Sequence, residues 1–507
     1  MVGSIPLASL LQGLPYTCVQ GDPEVPILEV CEDSRRCSPG ALFVAIRGIS
    51  HDGHAFLQDA VRRGARALLC QEPPSEALPP DCTVVTVPDT RTALSLVAHR
   101  FYGEPSAALR LIGITGTNGK TTTSFFIRSV LERAGVPTGI IGTTGAFFRQ
   151  QRRPVTHTTP TPVELNALLS WLRSQGAEAV ALEVSSHALD QRRVEALRFA
   201  AAVFTNISHD HLDYHGTIEA YAQAKRRLFE LLPEGALALA YEAGDGRGAW
   251  MLRAAPTVQR YCIGVVPGAE FQIRLQSITR AGTEWSVRFP DGTEFPFRTG
   301  LLGEYNAVNA TLAIALGWGW GIDIPLLQEA IAGAIPPPGR MEPVALPNGA
   351  IAFIDYAHTP DALERALRTL KQSLGEKGHL ICVFGCGGNR DRAKRPQMGA
   401  IAAQWADFIV LTNDNPRHEP PEQILEDIRA GIPPEAMERV LMIPDREAAL
   451  QAAAELSTAG DCILIAGKGH EEYQILGDTV VPFSDRKVIE RIAQMMGVAV
   501  QQAEHDR

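Results

Sequence analysis

Residues 109–123 read LRLIGITGTNGKTTT, an apolar run that ends in a glycine-rich turn and opens into a threonine-rich helix start. Leu109, Leu111, Ile112 and Ile114 suit a buried strand, and Ser124 to Arg133 places Phe125, Ile127, Val130 and Leu131 at helical spacing before Gly135 stops the pattern. A strand therefore hands a flexible loop to a helix N-terminus. The N–H groups of Gly116, Thr117, Asn118 and Gly119 can then point into one concavity where the helix dipole adds positive potential. Lys120 reaches terminal phosphates from there, and Thr121 offers an oxygen to Mg²⁺. The general phosphate-loop pattern wants a glycine five positions before Gly119; Ile114 stands there, with Gly113 displaced by one. ATP is the ligand this loop predicts, the alternative being an ordinary strand-to-helix turn with an exposed lysine.

A chain of 507 residues is too long for one core, since cores stop growing beyond about 250 residues, and three domains are expected. With 45% hydrophobic residues the chain can fill those cores, while a net charge of -10 gives no electrostatic footprint for nucleic acid or an anionic membrane. Small molecules are the expected partners, and an anionic one still fits because the field inside a cleft decides. Nine cysteines, without paired metal-finger spacing, read as reduced thiols; Cys382 and Cys386, the close pair, suit packing better than metal binding. The opening MVGSIPLASLLQGLP has no basic n-region and no apolar run is long enough to span a bilayer, so a cytoplasmic protein is expected.

Short apolar runs at 26–30, 41–46, 67–70 and 83–87 suggest a small α/β domain over residues 1–105. Residues 106–337 follow as the ATP-binding domain, with strands at 179–184 and 201–206 alternating with helices at 163–175 and 218–232 in the manner of a mostly parallel sheet. Three consecutive prolines at 336–338 form a stiff link. Beyond it, residues 338–507 alternate strands at 351–355, 379–384, 408–412 and 462–466 with helices, which predicts a doubly wound domain binding ligands at strand carboxyl ends.

His209, Asp210, His211, Asp213 and His215 gather just after a strand and could hold a metal or shape a phosphate site, with hydrogen-bonded loop histidines as the alternative. Glu183 ends another strand, placed to hold Mg²⁺. Lys225, beside Arg226 and Arg227, reads on its own as part of a solvated basic patch. Asn306 and Asn309 fall on one helix face, where they reach a nucleotide base or cap the helix start. Asp355, ending a strand before Tyr356-Ala357-His358, is either a ribose-binding carboxylate or a helix cap.

Together, GTNGKTT, HTTPTP at 157–162, EVSSHALDQRR at 183–193, NISHDHLDYHG at 206–216, GEYNAVN, PPPGRME, DYAHTP, GCGGNRDRAKRP at 385–396, TNDNPR at 412–417 and GKGHE at 467–471 resemble the Mur ligases over essentially the whole chain. Within that family they resemble the branch that adds the third residue of the peptidoglycan stem peptide, an activity of cell-wall synthesis that serves cell shape and division. The altered loop spacing is the family's own form.

The resemblance implies a three-domain α/β architecture and a role for each matching position. Gly116, Thr117, Asn118, Gly119, Lys120, Thr121 and Thr122 would hold the ATP phosphates, while Asn306, Arg340, Asp355 and His358 would contact adenosine and phosphate. Thr121 and Glu183 would serve one Mg²⁺ and His211 and Lys225 a second, with Lys225 carbamylated into an anionic oxygen donor, which replaces the basic-patch reading. Lys120, His211 and Lys225 are thus the implied catalytic residues, His211 also being the candidate base for the amine. For a UDP-MurNAc-dipeptide the resemblance implies Ser34, Ile49, Ser50, His51, Thr158, Thr159, Ser185, Gln191 and Arg193. For the incoming amino acid it implies Arg390, Asp414, Asn415, Pro416, Arg417, Gly467 and Glu471. Relatives take meso-diaminopimelate or L-lysine, and family members with the DNPR sequence take the former; Arg417 offers a planar fork to the extra carboxylate, against the alternative of a salt bridge within the fold. The expected reaction is attack of a D-Glu γ-carboxylate on the ATP γ-phosphate, then displacement of phosphate by the amine, in a monomer whose closure excludes water.

Three other readings make distinct forecasts. A folylpolyglutamate synthase would share the loop and histidines but not Asp33-Ser34-Arg35 or DNPR. A P-loop ATPase without ligase chemistry would hydrolyse ATP regardless of any UDP-sugar. A dinucleotide-dependent dehydrogenase would lean on Gly385 to Gly388 alone, a weak basis.

Overall fold

The computed structural model describes residues 3–48, 51–208, 210–374 and 378–505. The chain divides into two compact units, one of Met1–Ile273, Val287–Glu294 and Val308–Ala330, the other of Arg274–Ser286, Phe295–Ala307 and Ile331–Arg507.

The first unit begins with a five-stranded sheet of β1 (Thr17–Gln20), β2 (Glu29–Cys31), β3 (Ala41–Val44), β4 (Ala65–Cys70) and β5 (Thr83–Thr86), in the order β1-β5-β4-β3-β2. Only the β1–β5 pairing is antiparallel. The second sheet of this unit carries β6 (Arg110–Thr115), β7 (Thr138–Gly142), β8 (Gly145–Phe148), β9 (Gln151–Arg153), β10 (Ala179–Glu183), β11 (Phe199–Phe204), β12 (Leu237–Glu242) and β13 (Gln259–Gly264). They lie in the order β9-β8-β7-β10-β6-β11-β12-β13, parallel from β7 to β13. Parallel strands covered on both faces should be apolar throughout, and all of β10 is buried, its last residue being Glu183. Because β6 is flanked by β10 and β11, the segments leaving these three strands emerge at one sheet edge.

The phosphate-loop helix runs Lys120–Arg133, starting earlier than the apolar spacing alone places it, and its buried ring is Phe126 while Phe125 is half-exposed. A buried His99–Ser106–Asn166 triad ties the first hundred residues to the helix Pro162–Ser174: His99 Nδ1 lies 3.1 Å from Asn166 Oδ1 and His99 Nε2 3.2 Å from Ser106 Oγ.

The second unit holds β14 (Glu342–Ala345), β15 (Ile351–Asp355), β16 (Leu380–Phe384), β17 (Phe408–Leu411), β18 (Val440–Met442) and β19 (Cys462–Ala466), ordered β14-β15-β19-β16-β17-β18. Only β14 is antiparallel to its neighbour. Arg446, wholly buried, pairs through Nε and Nη2 with Asp485 at 2.7 Å each, and deleting either partner of such a pair costs about 3–5 kcal/mol. Cys386 packs its sulfur 3.7 Å from Met398 Sδ. Among the described residues no helix is long and apolar enough to cross a membrane.

Candidate active site

In the first unit, Gly116 (φ 150°) and Gly119 (φ 85°) bend the chain between β6 and its helix. A Cβ on Gly116 would lie 2.0 Å from Thr205 Oγ1 and one on Gly119 2.5 Å from Asn309 Oδ1, so glycine is required by both space and backbone at these two positions. Segment 205–208, leaving β11, braces the loop: Thr117 N donates to Asn206 O (2.9 Å), Asn118 N to Asn206 Oδ1 (3.0 Å), and Thr205 Oγ1 to Asn118 O (2.6 Å). Lys120 Nζ donates to Gly116 O at 2.9 Å and Thr117 O at 2.8 Å.

Lys225 is 1% exposed, and its Nζ donates to Gly116 O at 2.9 Å above the face of Tyr221, 4.2 Å from the ring centroid. The solvated-patch reading is therefore wrong. Tyr221, Ala222, Lys225, Leu228 and Phe229 form the buried stripe of the helix Ile218–Glu230, and Lys225 occupies a core position in it. Desolvation first, and the charge of Lys120 second, hold the Lys225 amine well below the usual lysine range.

Glu183 converts a strand end into an oxygen cluster. Its Oε1 accepts from Thr121 Oγ1 at 2.9 Å and Thr143 N at 3.1 Å, and its Oε2 from Thr143 Oγ1 at 3.1 Å. Thr143 Oγ1 lies 3.1 Å from Thr158 Oγ1. Thr159 Oγ1 donates to the Glu183 carbonyl at 2.9 Å and accepts from Ser185 N at 2.9 Å. Arg193 continues the network, donating to Thr159 O at 2.8 Å and through Nη2 to Gln191 Oε1 at 2.7 Å. Thr158, Thr159, Ser185, Gln191 and Arg193 are thus gathered beside Glu183.

Glu32, just after β2, meets the same network: burial pushes its carboxyl up, opposed by a hydrogen bond to Thr161 and the charge of Arg193. Two residues on, Ser34 Oγ donates to Asp59 Oδ2 at 2.9 Å. His51 is exposed, whereas Ile49, Ser50 and His209 lie outside the described residues.

His211 adopts φ 53°, in the left-handed region, at the start of the short helix Leu212–His215, with Nε2 3.4 Å from Asp210 Oδ2. His187, which sequence reasoning did not single out, stands edge-on to it at 4.8 Å between ring centroids and also touches Tyr214 (4.3 Å) and His215 (5.5 Å). Desolvation, then the charges of His211 and His215, pull His187 down to about 4, so it is neutral at physiological pH. Tyr221 joins two of the three catalytic candidates, its ring 6.1 Å from that of His211 and 4.2 Å from Lys225 Nζ. Tyr221, Thr143 and Asn206 were likewise missed as individual positions, although Asn206 opens the NISHDH motif.

In the second unit, Asp355 accepts from Met341 N (2.8 Å) and Ala357 N (2.9 Å), so it organises two loops; desolvation raises its carboxyl while Arg340 opposes the rise. Arg340 Cζ lies 5.0 Å from the Tyr356 ring centroid, and its buried Nε has no hydrogen-bond partner among the described residues. His358 Nδ1 lies 2.8 Å from Tyr356 O. Asn306 Nδ2 donates to Leu302 O at 2.7 Å, a contact at the start of its own helix.

Loops after β16, β17 and β19 meet in a second cluster. Arg417, at φ 53°, donates from Nη1 to Gly388 O at 2.9 Å, and no carboxylate among the described residues lies within ion-pair distance of it. Among the described residues Arg417 thus forms no salt bridge, the alternative weighed for it. Asn415 Nδ2 donates to Glu471 Oε2 at 3.0 Å, and Lys468 Nζ, wholly buried, reaches Asn415 Oδ1 and Glu471 Oε2 at 3.2 Å each. Gly467, at φ 113°, leaves room beside Asp414, whose Oδ2 a Cβ would approach to 3.3 Å. Pro416 is buried, while Arg390 is exposed beside Gly387.

Three family descriptions match in succession: Mur ligase family, catalytic domain, at residues 27–102; Mur ligase middle domain at 114–317; and Mur ligase, glutamate ligase domain, at 339–469. A relative from Cytophaga hutchinsonii, named UDP-N-acetylmuramoyl-L-alanyl-D-glutamate--2,6-diaminopimelate ligase, is 39% identical over 97% of this chain and 99% of its own. A protein of the same name from Syntrophomonas wolfei is 40% identical over 95% and 98%. A solved structure described by that name superposes with a TM-score of 0.71 at 32% identity, covering 97% of this chain and 99% of that one.

Proposed function

The chain belongs to the Mur ligase family, and from that membership we propose that it is the ATP-dependent ligase that joins meso-diaminopimelate to the D-Glu γ-carboxylate of UDP-MurNAc-L-Ala-D-Glu. It would do so as a cytoplasmic, bacterial monomer with domains at 1–105, 106–337 and 338–507. The observation that carries the choice of amino acid is Arg417: its guanidinium spends Nη1 on the Gly388 carbonyl and meets no carboxylate of the described protein. A planar donor fork left in this state suits the second carboxylate of diaminopimelate, which L-lysine lacks.

The residues fit the groups the reaction needs. Thr121 Oγ1 and Glu183 Oε1 are hard oxygen donors 2.9 Å apart and would hold Mg²⁺, with His211 and a carbamylated Lys225 holding a second ion. A buried amine with depressed proton affinity is the kind of lysine that reacts with CO₂, which supports the carbamate. Magnesium, when bound, neutralises phosphate oxygens and orients them.

Within the first unit, the loop 116–122 would bind the triphosphate through backbone N–H groups, and Lys120 would exchange its two carbonyl acceptors for phosphate oxygens. Thr158, Thr159, Ser185, Gln191 and Arg193 would orient the UDP-substrate, assisted by Ser34, Ile49, Ser50 and His51. The γ-carboxylate oxygen attacks the γ-phosphorus and ADP departs, giving an acyl phosphate. The neutral amine then attacks the acyl carbon, loses a proton and expels phosphate, with His211 the candidate base. Asn306, Arg340, Asp355 and His358 would serve the nucleotide, and Arg390, Asp414, Asn415, Pro416, Arg417, Gly467 and Glu471 the amino acid.

The test is phosphate release from ATP with the UDP-dipeptide and meso-diaminopimelate, L-lysine or no amine, with the product weighed by mass spectrometry. Turnover that requires the UDP-dipeptide and prefers diaminopimelate is expected. Equal use of lysine overturns the amino-acid choice, and phosphate release indifferent to the UDP-dipeptide overturns the ligase reading.

A further inference from the structure

The wholly buried Lys468 belongs to no role assigned above, yet it touches three of the amino-acid residues. Its Nζ lies 3.2 Å from Asn415 Oδ1, 3.2 Å from Glu471 Oε2 and 3.6 Å from Asp414 Oδ1. Asn415 is locked in one orientation by this contact: Oδ1 accepts from Lys468 and from Ile475 N at 3.0 Å, while Nδ2 donates to Glu471 Oε2 at 3.0 Å. Asp414 Oδ1, buried, accepts no hydrogen bond among the described residues. A buried carboxylate oxygen without a donor is costly, and an incoming ammonium group is a donor of the right charge.

The charges then sum to a selective pattern. Asp414 and Glu471 are two anions, and Lys468 is the cation set against both of them, at 3.6 Å and 3.2 Å. Diaminopimelate, with two ammonium and two carboxylate groups, is neutral overall, whereas lysine carries one net positive charge. Without Lys468 the two carboxylates would lose the cation that faces them, and the balance would shift toward a net-cationic substrate.

We propose that Lys468 is a positioning and specificity-determining residue for the amino-acid substrate: it orients Asn415 and Glu471 and sets the pocket's charge so that a net-neutral diamino diacid is preferred over a net-cationic diamino monoacid. This rests on the ligase reading above and adds to Arg417 a second discriminator, one that acts through charge balance and need not touch the substrate's second carboxylate.

The experiment compares kcat and KM for meso-diaminopimelate and L-lysine, at saturating ATP and UDP-dipeptide, in the full-length wild type, Lys468→Met, Lys468→Gln and Lys468→Arg, with each variant's fold checked by thermal melting. Both neutral variants are expected to lower the diaminopimelate-to-lysine ratio of kcat/KM by about tenfold or more, with the change in the amino-acid KM, while KM for ATP and UDP-dipeptide stays within about twofold. Lys468→Arg, which keeps the charge, is expected to recover most of the ratio. An unchanged ratio in a folded neutral variant, a uniform fall in kcat with all KM values untouched, or failure of both neutral variants to fold assigns Lys468 to the scaffold and overturns the proposal. The wild-type ratio alone judges the underlying reading: if wild type does not prefer diaminopimelate, that reading falls, while the shift between wild type and variant still decides the role of Lys468.

Discussion

Lys120 and Lys225 donate to the same acceptor, the carbonyl oxygen of Gly116, each at 2.9 Å. Two amines that meet on one oxygen disfavour each other's charge, and only Lys225 is sealed from water. Folding therefore selects its neutral form. An unfolded lysine titrates near 10.5 and the folded one well below, so the unfolded chain binds more protons in between; stability from this group rises with pH across that window and falls toward acid. The same neutral amine is the species that attacks the carbon of CO₂, losing a proton to give the carbamate. With ¹³C-bicarbonate, a carbamate NMR resonance is expected that strengthens from acid to mildly alkaline pH and is missing from Lys225→Met. Lys225→Arg, which cannot form the adduct, should lose about 10²-fold or more in kcat. Full activity in that variant would discard the carbamate.

Glu183 depends on a glycine in the neighbouring strand. A Cβ on Gly142 would lie 2.1 Å from Glu183 Oε1, so Gly142→Ala must push the carboxylate off Thr121 without altering any ligand. The expected outcome is a folded protein, destabilised by about 1–3 kcal/mol, whose Mg²⁺ requirement shifts to higher concentration together with that of Glu183→Gln. Titrating activity against Mg²⁺ in both variants checks this, and an unshifted curve in Gly142→Ala would sink the link.

Arg417→Ala removes the proposed fork without leaving a buried carboxylate unpaired, because the described protein provides none. Thermal stability should change little. KM for meso-diaminopimelate should rise by about 10² or more while lysine use is less affected, the asymmetry expected when a site loses a charged donor for one substrate only. Steady-state kinetics with both amino acids settles it.

His187 should govern part of the acid sensitivity of the fold. Its folded value is about 4 against 6.5 for the free side chain, so it stays neutral when folded and protonates first in the unfolded chain. Its stabilising contribution is complete above about 6.5 and is lost as pH falls from there toward 4. Urea unfolding at several pH values should show a smaller acid loss in His187→Gln than in wild type. Equal losses would place the acid sensitivity elsewhere.

The strand at 110–115, the loop at 116–119 and the parallel core were legible because a buried strand and an amphipathic helix impose different periods on apolar residues. Phe125 was preferred to Phe126 because adjacent identical residues leave the helix phase ambiguous by one position. The burial of Lys225 was in principle visible, since it falls on the stripe with Tyr221, Leu228 and Phe229, but neighbouring Arg226 and Arg227 masked it. His187 and Lys468 fall inside the motifs EVSSHALDQRR and GKGHE, but nothing there singles them out: their significance arises from partners on other segments, such as His211 and Asn415, which only the folded chain brings near.

His211 and Arg417 both hold a left-handed backbone that glycine would adopt without strain, as do Met341 and Asn389 in loops of the second unit. A search for heat-tolerant versions of this protein would be drawn to those four positions, since glycine there relieves strain worth about 1–3 kcal/mol. Each such gain would come at a residue proposed for the chemistry or in a loop that frames it. Durability and turnover are set against each other at particular dihedral angles of this chain, and variants selected for one should be screened for the other at these sites first.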